Sequence, residues 1–296
     1  MKKYLLLLLI IFQLNTLFSQ SSKNYLKSIN DWHIKRENIL KQPNGWLNLE
    51  GLFWLHKGVN SFGKGEGMDC KYANNEFPDY LGDFIYEGDS VQWMNKNKNS
   101  IKVNNKEQIG ADVITVFNAE GMAKTMDWSH FSWVVIKRED KVGIRFRNLQ
   151  AATLKQFKGI DRFQVDSNWR LKAVLVQPEQ NLLMITNVLG QITAQKSAGR
   201  LLFTINNKEY TLDVIDEGGP SLFIVFGDET AGKTTYGAGR FIDIPKPDAL
   251  GNTEIDFNKA YNPPCAFTAF ATCPLPPPQN RLKLSITAGE KNYGHH

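Results

Sequence analysis

The sequence has 296 residues, of which 42% are hydrophobic and 22% are charged, with 23 Gly and 12 Pro. These proportions are those of a folded protein, and they exclude a disordered chain, a collagen, a coiled coil and a multispanning membrane protein. The formal net charge of +5 is mild, and no run of five Lys or Arg residues occurs. The charge pattern therefore predicts no nucleic-acid partner.

Residues 1–19 have the pattern of an export signal. Lys2 and Lys3 precede a short apolar run, and Ser19 is a small residue at a suitable cleavage position. The run is too short to cross a hydrocarbon core about 30 Å thick, and no later segment is apolar enough to span one. No cysteine lies near the cleavage position. We therefore predict a soluble periplasmic or secreted protein with no lipid anchor.

Residues 22–41 show the spacing of one amphipathic helix, which ends before Pro43. The apolar face of this helix is predicted to carry Tyr25, Ile29, Trp32 and Ile39.

Strand patterns dominate after the helix. They cover 45–55, 132–140, 141–148, 168–177, 181–188, 201–205, 209–214 and 221–226. Two pairs of these strands, 132–140 with 141–148 and 201–205 with 209–214, are predicted to form hairpins. In the arm 141–148, Val142, Ile144 and Phe146 alternate with residues that include Arg145 and Arg147, which predicts buried apolar groups and outward guanidinium groups. Turn signals recur about every 8–12 residues, as in antiparallel sandwiches and barrels.

These patterns predict an all-β fold, mainly an antiparallel barrel or sandwich, with one N-terminal amphipathic helix and a Pro-rich C-terminal loop. Residues 20–296 are predicted to form a single domain, and 150–168 is the best place for a subdomain boundary.

Residues 227–234 read GDETAGKT and match the phosphate-binding P-loop pattern. A P-loop requires a helix to begin after Lys233, so that its N-terminal amides bind phosphate. The continuation contains Gly237, Gly239 and an alternating apolar pattern, which favours a strand. We therefore predict strand, glycine-containing turn, strand, and no nucleotide or other cofactor.

Candidate catalytic residues are few, and the sequence leaves open whether the protein is an enzyme. Histidines are scarce and isolated, and no metal-binding or triad motif occurs, so we predict no metal site. Acid–base chemistry would therefore use carboxylates, with Asp228, Glu229 and Asp256 as candidates. Asp228 and Glu229 are adjacent and are predicted to point in opposite directions.

Residues 256–281 contain six prolines, which exclude a central strand or a helix. The segment is predicted to be a rigid loop that serves either as a structural clamp or as a preorganised pocket wall. Cys265 and Cys273 lie within it, and two alternatives stay open for them: a disulfide bond, or two separately buried thiols.

The segments 228–241 (DETAGKTTYGAGRF) and 256–282 (DFNKAYNPPCAFTAFATCPLPPPQNRL) resemble the bacterial family called domain of unknown function 1684. GWLNLEGLFWL at 45–55 and FKGIDRF at 157–163 are similar to other landmarks of that family, so the resemblance extends over nearly the whole exported chain. Asn148 stands where the resemblance implies Asp. The family has no established activity, substrate or cofactor.

The leading hypothesis for function is an exported protein that binds a small molecule, a lipid fragment or a glycan in a barrel or sandwich cavity. Five residues would line or brace the site: Tyr236, Arg240, Asn258, Tyr261 and Asn262. Arg240 would bind an anion, unless it pairs with Asp256 or stacks on Tyr261. The alternatives are a carboxylate-based hydrolase acting on an envelope glycan or ester, and a structural or interaction protein of the envelope. Nothing in the sequence specifies an oligomeric state.

Overall fold

The computed structural model describes residues 22–96, 100–108 and 112–294, so the predicted export signal lies outside the described residues. The chain divides into two compact units. The barrel unit is the described part of Met1–Ile39, Gly159–Phe267 and Thr272–His296, and the two-sheet unit is that of Leu40–Lys158 with Thr268–Ala271. One of the four places where the chain passes between the units, after Lys158, is within the range 150–168. The single-domain assignment stays a prediction.

The two-sheet unit holds the first strands of the chain. Their bounds are β1 (Leu49–Trp54), β2 (Gly58–Gly63), β3 (Cys70–Lys71), β4 (Gly82–Tyr86), β5 (Ser90–Asn95), β6 (Ile101–Val103), β7 (Lys106–Gln108), β8 (Val113–Asn118), β9 (Thr125–Trp128), β10 (Phe131–Arg138) and β11 (Lys141–Asn148). One sheet has the order β1-β11-β10-β9-β6-β7 and the other β3-β2-β4-β5-β8. All neighbours are antiparallel except β2 and β3.

The core of the two-sheet unit is aromatic. Phe62, Trp93, Trp133 and Phe146 are fully buried and their rings pack on one another. Rings of this size bury about 150–250 Å² each, so they supply much of the stability of the unit. The short helix α2 (Ala152–Gln156) follows the last strand of the unit and was not predicted.

The barrel unit is built on one antiparallel sheet. Its strands are β12 (Arg170–Val176), β13 (Leu182–Thr186), β14 (Ile192–Ile205), β15 (Lys208–Ile215), β16 (Ser221–Phe226), β17 (Arg240–Pro245) and β18 (Asn252–Asp256). The order is β17-β16-β15-β14-β12-β18, and β13 pairs with the first half of β14. The two outermost strands, β17 and β18, come together where Thr253 Oγ1 donates to the Pro245 carbonyl at 2.9 Å, so the sheet forms a nearly closed barrel.

The helix α1 covers residues 22–40, as the sequence predicts. Ile29, His33 and Leu40 are buried, because they follow one another at three- and four-residue intervals with Arg36 along one side of the helix. The predicted position of Ile39 on this face is wrong. Ile39 is 50% exposed, since the helix turns it away from the line that starts at Ile29.

Both predicted hairpins are confirmed, β10 with β11 and β14 with β15. Val142, Ile144 and Phe146 are buried as predicted, but the outward placement of Arg147 in solvent is wrong. The second face of β11 is covered by the segment that precedes β1, where the Trp46 ring centre lies 5.1 Å from the Arg145 guanidinium carbon. Arg147 is buried and its Nη2 donates to the Asn44 carbonyl at 3.3 Å.

The strand–turn–strand prediction for the P-loop-like segment is confirmed. β16 and β17 are antiparallel neighbours, and the connection 227–239 contains turns and bridges but no helix at Lys233. After β18, the Pro-rich segment contains short 3-10 turns at Phe257–Lys259, Pro264–Ala266 and Pro278–Asn280. The predicted all-β class with its N-terminal helix and Pro-rich loop is confirmed. Within the described ranges, no helix combines the length and the apolar character that a membrane crossing needs.

Candidate functional site

Arg240, the predicted anion-binding residue, is 1% exposed inside the barrel unit. Its Nη2 donates to Asp228 Oδ1 at 3.2 Å and to the Ile286 carbonyl at 3.1 Å, and its Nη1 donates to the Ala288 carbonyl. Burial lowers the pKa of Arg240, and the nearby charge of Asp228 opposes this effect. The guanidinium group thus ties the start of β17 to the last part of the described chain.

The two structural alternatives proposed for Arg240 are both wrong in detail. Its carboxylate partner is Asp228 and not Asp256, and the ring beneath its guanidinium carbon is Phe226, at 5.3 Å, and not Tyr261. The sequence could not specify the partner, because Asp228 and Asp256 lie at similar distances along the chain on either side of β17. The role of Arg240 in binding a ligand anion stays a prediction.

Asp256 and Asn258 form a second buried group in this unit. Both Asp256 carboxylate oxygens accept from the Tyr25 hydroxyl, at 3.0 and 3.1 Å. Asp256 Oδ1 also accepts from the backbone nitrogen of Asn258 at 3.1 Å. Asn258 Nδ2 donates to the Asp166 carbonyl at 2.8 Å. Burial and the Asp256 carboxylate raise the pKa of Tyr25, so this phenol stays a donor. The group fastens α1 to the end of β18.

Tyr261 and Asn262 meet Arg36, a residue of α1 that the sequence reasoning missed. The Arg36 guanidinium carbon lies 4.7 Å from the Tyr261 ring centre, and Nη2 donates to the Asn262 carbonyl at 2.8 Å. Glu290 contacts both residues: its Oε1 lies 3.5 Å from Arg36 Nε, and its Oε2 accepts from the backbone nitrogen of Asn262 at 2.7 Å. Burial raises the pKa of Glu290 despite the adjacent cation.

Tyr236 lies near the two cysteines of the Pro-rich segment. Its pKa is raised by burial and, to a smaller degree, by the charges of Cys265 and Cys273. The amide nitrogen of Cys265 donates to Cys273 Sγ at 3.1 Å, and the hydrogen bond from Cys273 lowers the pKa of the Cys265 thiol. The structure contains both residues as thiols, so the geometry brings the pair together and the disulfide bond stays a prediction.

The structure does not bring any two of the three candidate catalytic carboxylates together as an acid–base pair. The side chain of Asp228 is buried in its ion pair, whereas the adjacent Glu229 is exposed and accepts from Ser285 Oγ at 3.2 Å, as their opposite directions predict. Asp256 accepts hydrogen bonds from Tyr25 and Asn258. Among the described residues, no three His, Cys, Asp or Glu side chains come together as metal ligands.

Asn148, which departs from the pattern that the resemblance implies, lies in the two-sheet unit. Its Nδ2 donates to Glu50 Oε2 at 3.1 Å, and the Tyr72 hydroxyl donates to the same oxygen. An aspartate at 148 would face Glu50 with a second negative charge, so an amide suits this chain better than a carboxylate.

The buried histidine of α1 makes the stability of the barrel unit depend on pH. His33 Nε2 lies 3.2 Å from the Asn258 carbonyl, which can only accept, so this nitrogen carries the proton. Burial, assisted by the charge of Arg162, lowers the pKa of His33 from 6.5 to about 4. As the pH falls, His33 of the unfolded chain therefore binds a proton near pH 6.5, whereas His33 of the folded chain binds it only near pH 4.

We expect about 3 kcal/mol of stability, present above pH 6.5, to be lost as the pH falls towards 4. Denaturant unfolding of the original chain and of His33→Gln, at several pH values, measures the difference between them. His56→Gln is the control, since His56 is exposed and its pKa is raised instead. An unchanged acid-side loss in His33→Gln contradicts the assignment.

A groove of about 1300 Å³ lies within the barrel unit, over the outer side of β18, β12 and β14. Val174 and Leu202 lie directly opposite each other on neighbouring strands and form its floor. Segment 245–248 and Glu209 also line the groove. Its lining residues are Leu171, Lys172, Ala173, Val174, Leu202, Phe203, Thr204, Glu209, Pro245, Lys246, Pro247, Asp248, Asn252, Thr253 and Glu254. None of the five predicted binding residues is among them.

Two lysines line the groove, Lys172 and Lys246, and Lys172 is available to a ligand. Glu254 is already engaged by Arg170, whose Nε and Nη2 donate to it at 2.9 and 2.7 Å. Asp248 accepts from the backbone of its own turn. Lys172, across from Glu254 on β12, makes no hydrogen bond or ion pair with the described residues. The sequence signal for this surface is the outward alternation of Lys172 and Val174 in a strand that was itself predicted.

Comparison with known proteins gives a family match over the second half of the chain and no activity. No curated protein matches this chain. A solution NMR structure of an uncharacterized protein of Haloarcula marismortui is 26% identical over 46% of this chain and 78% of that one, with a TM-score of 0.39. A family model described as protein of unknown function (DUF1684) matches residues 155–291, which include 157–163, 228–241 and 256–282 but not 45–55. This match supports the resemblance of residues 155–291 to the DUF1684 family of proteins of unknown function.

Proposed function

We propose that this chain is an exported periplasmic or secreted protein whose barrel unit binds a small, mainly apolar molecule with an acidic group, such as a lipid fragment. The observation that carries the proposal is the groove over β18, β12 and β14, with its apolar floor of Val174 and Leu202 and the uncommitted ammonium group of Lys172. Small-molecule sites are typically concave, mostly apolar and equipped with a few polar groups that orient the ligand.

The lining favours a lipid fragment over a glycan. Sugar rings are commonly bound on exposed aromatic faces, but the aromatic residue of the groove, Phe203, is only 3% exposed. Its ring stacks instead on Tyr210, at 6.0 Å between centres. Aliphatic side chains bind an acyl chain through burial of apolar area, about 25 cal/mol per Å², and Lys172 supplies a point charge for its carboxylate.

The five residues predicted from the sequence would brace the barrel that presents the groove. Arg240, Asn258 and Asn262 are buried and hydrogen-bonded within the unit, and Tyr261 holds β17 through backbone bonds to Phe241 at 2.8 and 2.9 Å. A ligand anion at Arg240 would have to displace Asp228. The hydrolase alternative has less support, because Asp228 and Asp256 are both occupied by internal partners.

A titration with a fluorescent long-chain fatty acid tests the proposal. We expect the original chain to bind the probe with a micromolar dissociation constant, and Val174→Asp to weaken binding by at least about tenfold. The control is Val59→Asp, because Val59 is also an exposed strand valine but lies in the two-sheet unit. Lys172→Gln should weaken binding of the fatty acid but not of the matching fatty alcohol. No binding, or equal losses in the two valine variants, contradicts the proposal.

A further inference from the structure

The hairpin of β13 and β14 has an exposed apolar face. Residues that lie opposite each other in the pairing share a face, so Leu182, Met184 and Ile192 lie on the same side of the ribbon. They are 52%, 61% and 57% exposed. Val188 and Leu189, at the tip, are 40% and 44% exposed. We call these five residues the hairpin patch.

The opposite face of the same hairpin is covered. Ile185 is 3% exposed, and the backbone of the tip pairs with the Pro-rich segment, where Val188 donates to the Cys273 carbonyl at 3.0 Å and Leu275 donates to the Thr186 carbonyl at 2.8 Å. The hairpin is therefore held in place by its inner side. The hairpin patch is a fixed surface, larger than the scattered apolar residues that are normal on a monomer.

We propose that the hairpin patch is the contact surface for a second copy of this chain, packed face to face around a twofold axis. In such an interface the same surface faces itself, so any charge would meet its own copy. Residues 180–192 contain no charged residue. The cation nearest the patch, Lys196, is opposite Leu182 and is neutralised by Asp216 at 2.6 Å within its own copy.

The area and the chemistry of the hairpin patch agree with a second copy of this chain as the partner. Five side chains exposed by about half present on the order of 400–500 Å², so two copies would bury about 1000 Å², the lower limit for a specific interface. A lipid surface fits less well, because the patch has no aromatic residue and no free cation to meet headgroups. This inference is independent of the groove and its ligand.

Sedimentation equilibrium of the full exported chain, from about 1 to 200 μM, tests the proposal. We expect a reversible dimer, and we expect Ile192→Lys to weaken it at least about 100-fold, because two lysines would then face each other. Ile34→Lys is the matched control: Ile34 is 59% exposed but lies on α1, outside the patch. It should leave the dimer unchanged.

Both variants change an exposed residue, so they are expected to fold like the original chain, and circular dichroism checks this. A chain that is monomeric over the whole range overturns the proposal. So does equal weakening by Ile192→Lys and Ile34→Lys, or a dimer that Ile192→Lys leaves intact. Fatty-acid binding is measured on the same samples, so that a failure of the dimer proposal can be told apart from a failure of the groove proposal.

Discussion

Arg240→Met is expected to lower the free energy of unfolding by about 3–5 kcal/mol, the range for breaking a buried ion pair. Methionine fills most of the space but leaves the buried Asp228 carboxylate without its cation. It also removes the donors to the carbonyl groups of Ile286 and Ala288, so the end of the described chain loses its attachment to β17. Urea unfolding followed by tryptophan fluorescence measures the loss.

Arg170→Met is the control for this experiment. Arg170 also pairs with a carboxylate, Glu254, but its side chain is 48% exposed. Exposed ion pairs contribute about 0–1 kcal/mol, so this variant should be nearly as stable as the original chain. Adding Asp228→Asn to Arg240→Met should recover part of the loss, since the amide removes the uncompensated charge. Equal stability of the two single variants would contradict the structural role of Arg240.

Gly239→Ala should cost about 3 kcal/mol or more. Gly239 has φ +96°, where an L side chain is strained, and its Cβ would lie 2.4 Å from Pro276 Cγ and 2.6 Å from the Phe226 carbonyl oxygen. The Pro-rich segment packs directly on this backbone, so it would have to move away from the barrel unit. Thermal unfolding and proteolysis within 263–278 should both reveal the change.

Gly232→Ala is the control that separates the effect of the Pro276 contact from the effect of positive-φ backbone strain. Gly232 has φ +74°, but its Cβ would meet only Gly237 Cα, at 4.0 Å. We therefore expect it to cost about 1 kcal/mol, the penalty of the left-handed conformation alone. A loss in Gly239→Ala no larger than that in Gly232→Ala would show that Pro276 does not press on the turn.

The barrel unit was largely predictable because its strands are long and alternate regularly. The hairpin of β14 and β15 shows this: Leu212 and Val214 face the core, and the turn at Asn206 and Asn207 has positive φ at both residues. The two-sheet unit was less predictable between residues 58 and 128. Strands such as β3, with two residues, and β6, with three, are too short for a period to emerge, and long-range pairing holds them.

The chemistry was predictable by residue type but not by partner. Arg240, Asn258 and Asn262 were identified as unusual, and all three are buried and hydrogen-bonded. Several of their partners come from α1 and from the last part of the described chain, and the contact between Arg36 and Asn262 joins residues more than 200 positions apart. The groove was missed for a different reason. It is formed by the outer side of strands, and an outward valine such as Val174 carries no local signal of function.

Photo-crosslinking with a diazirine-bearing fatty acid, followed by peptide mapping, tests the central claim most directly. The account predicts labels on the groove strands β12 and β14, around Val174 and Leu202, which unlabelled fatty acid suppresses. Labels concentrated at Tyr236–Arg240 or Asn258–Asn262, or no labelling above that of Val174→Asp, would contradict it.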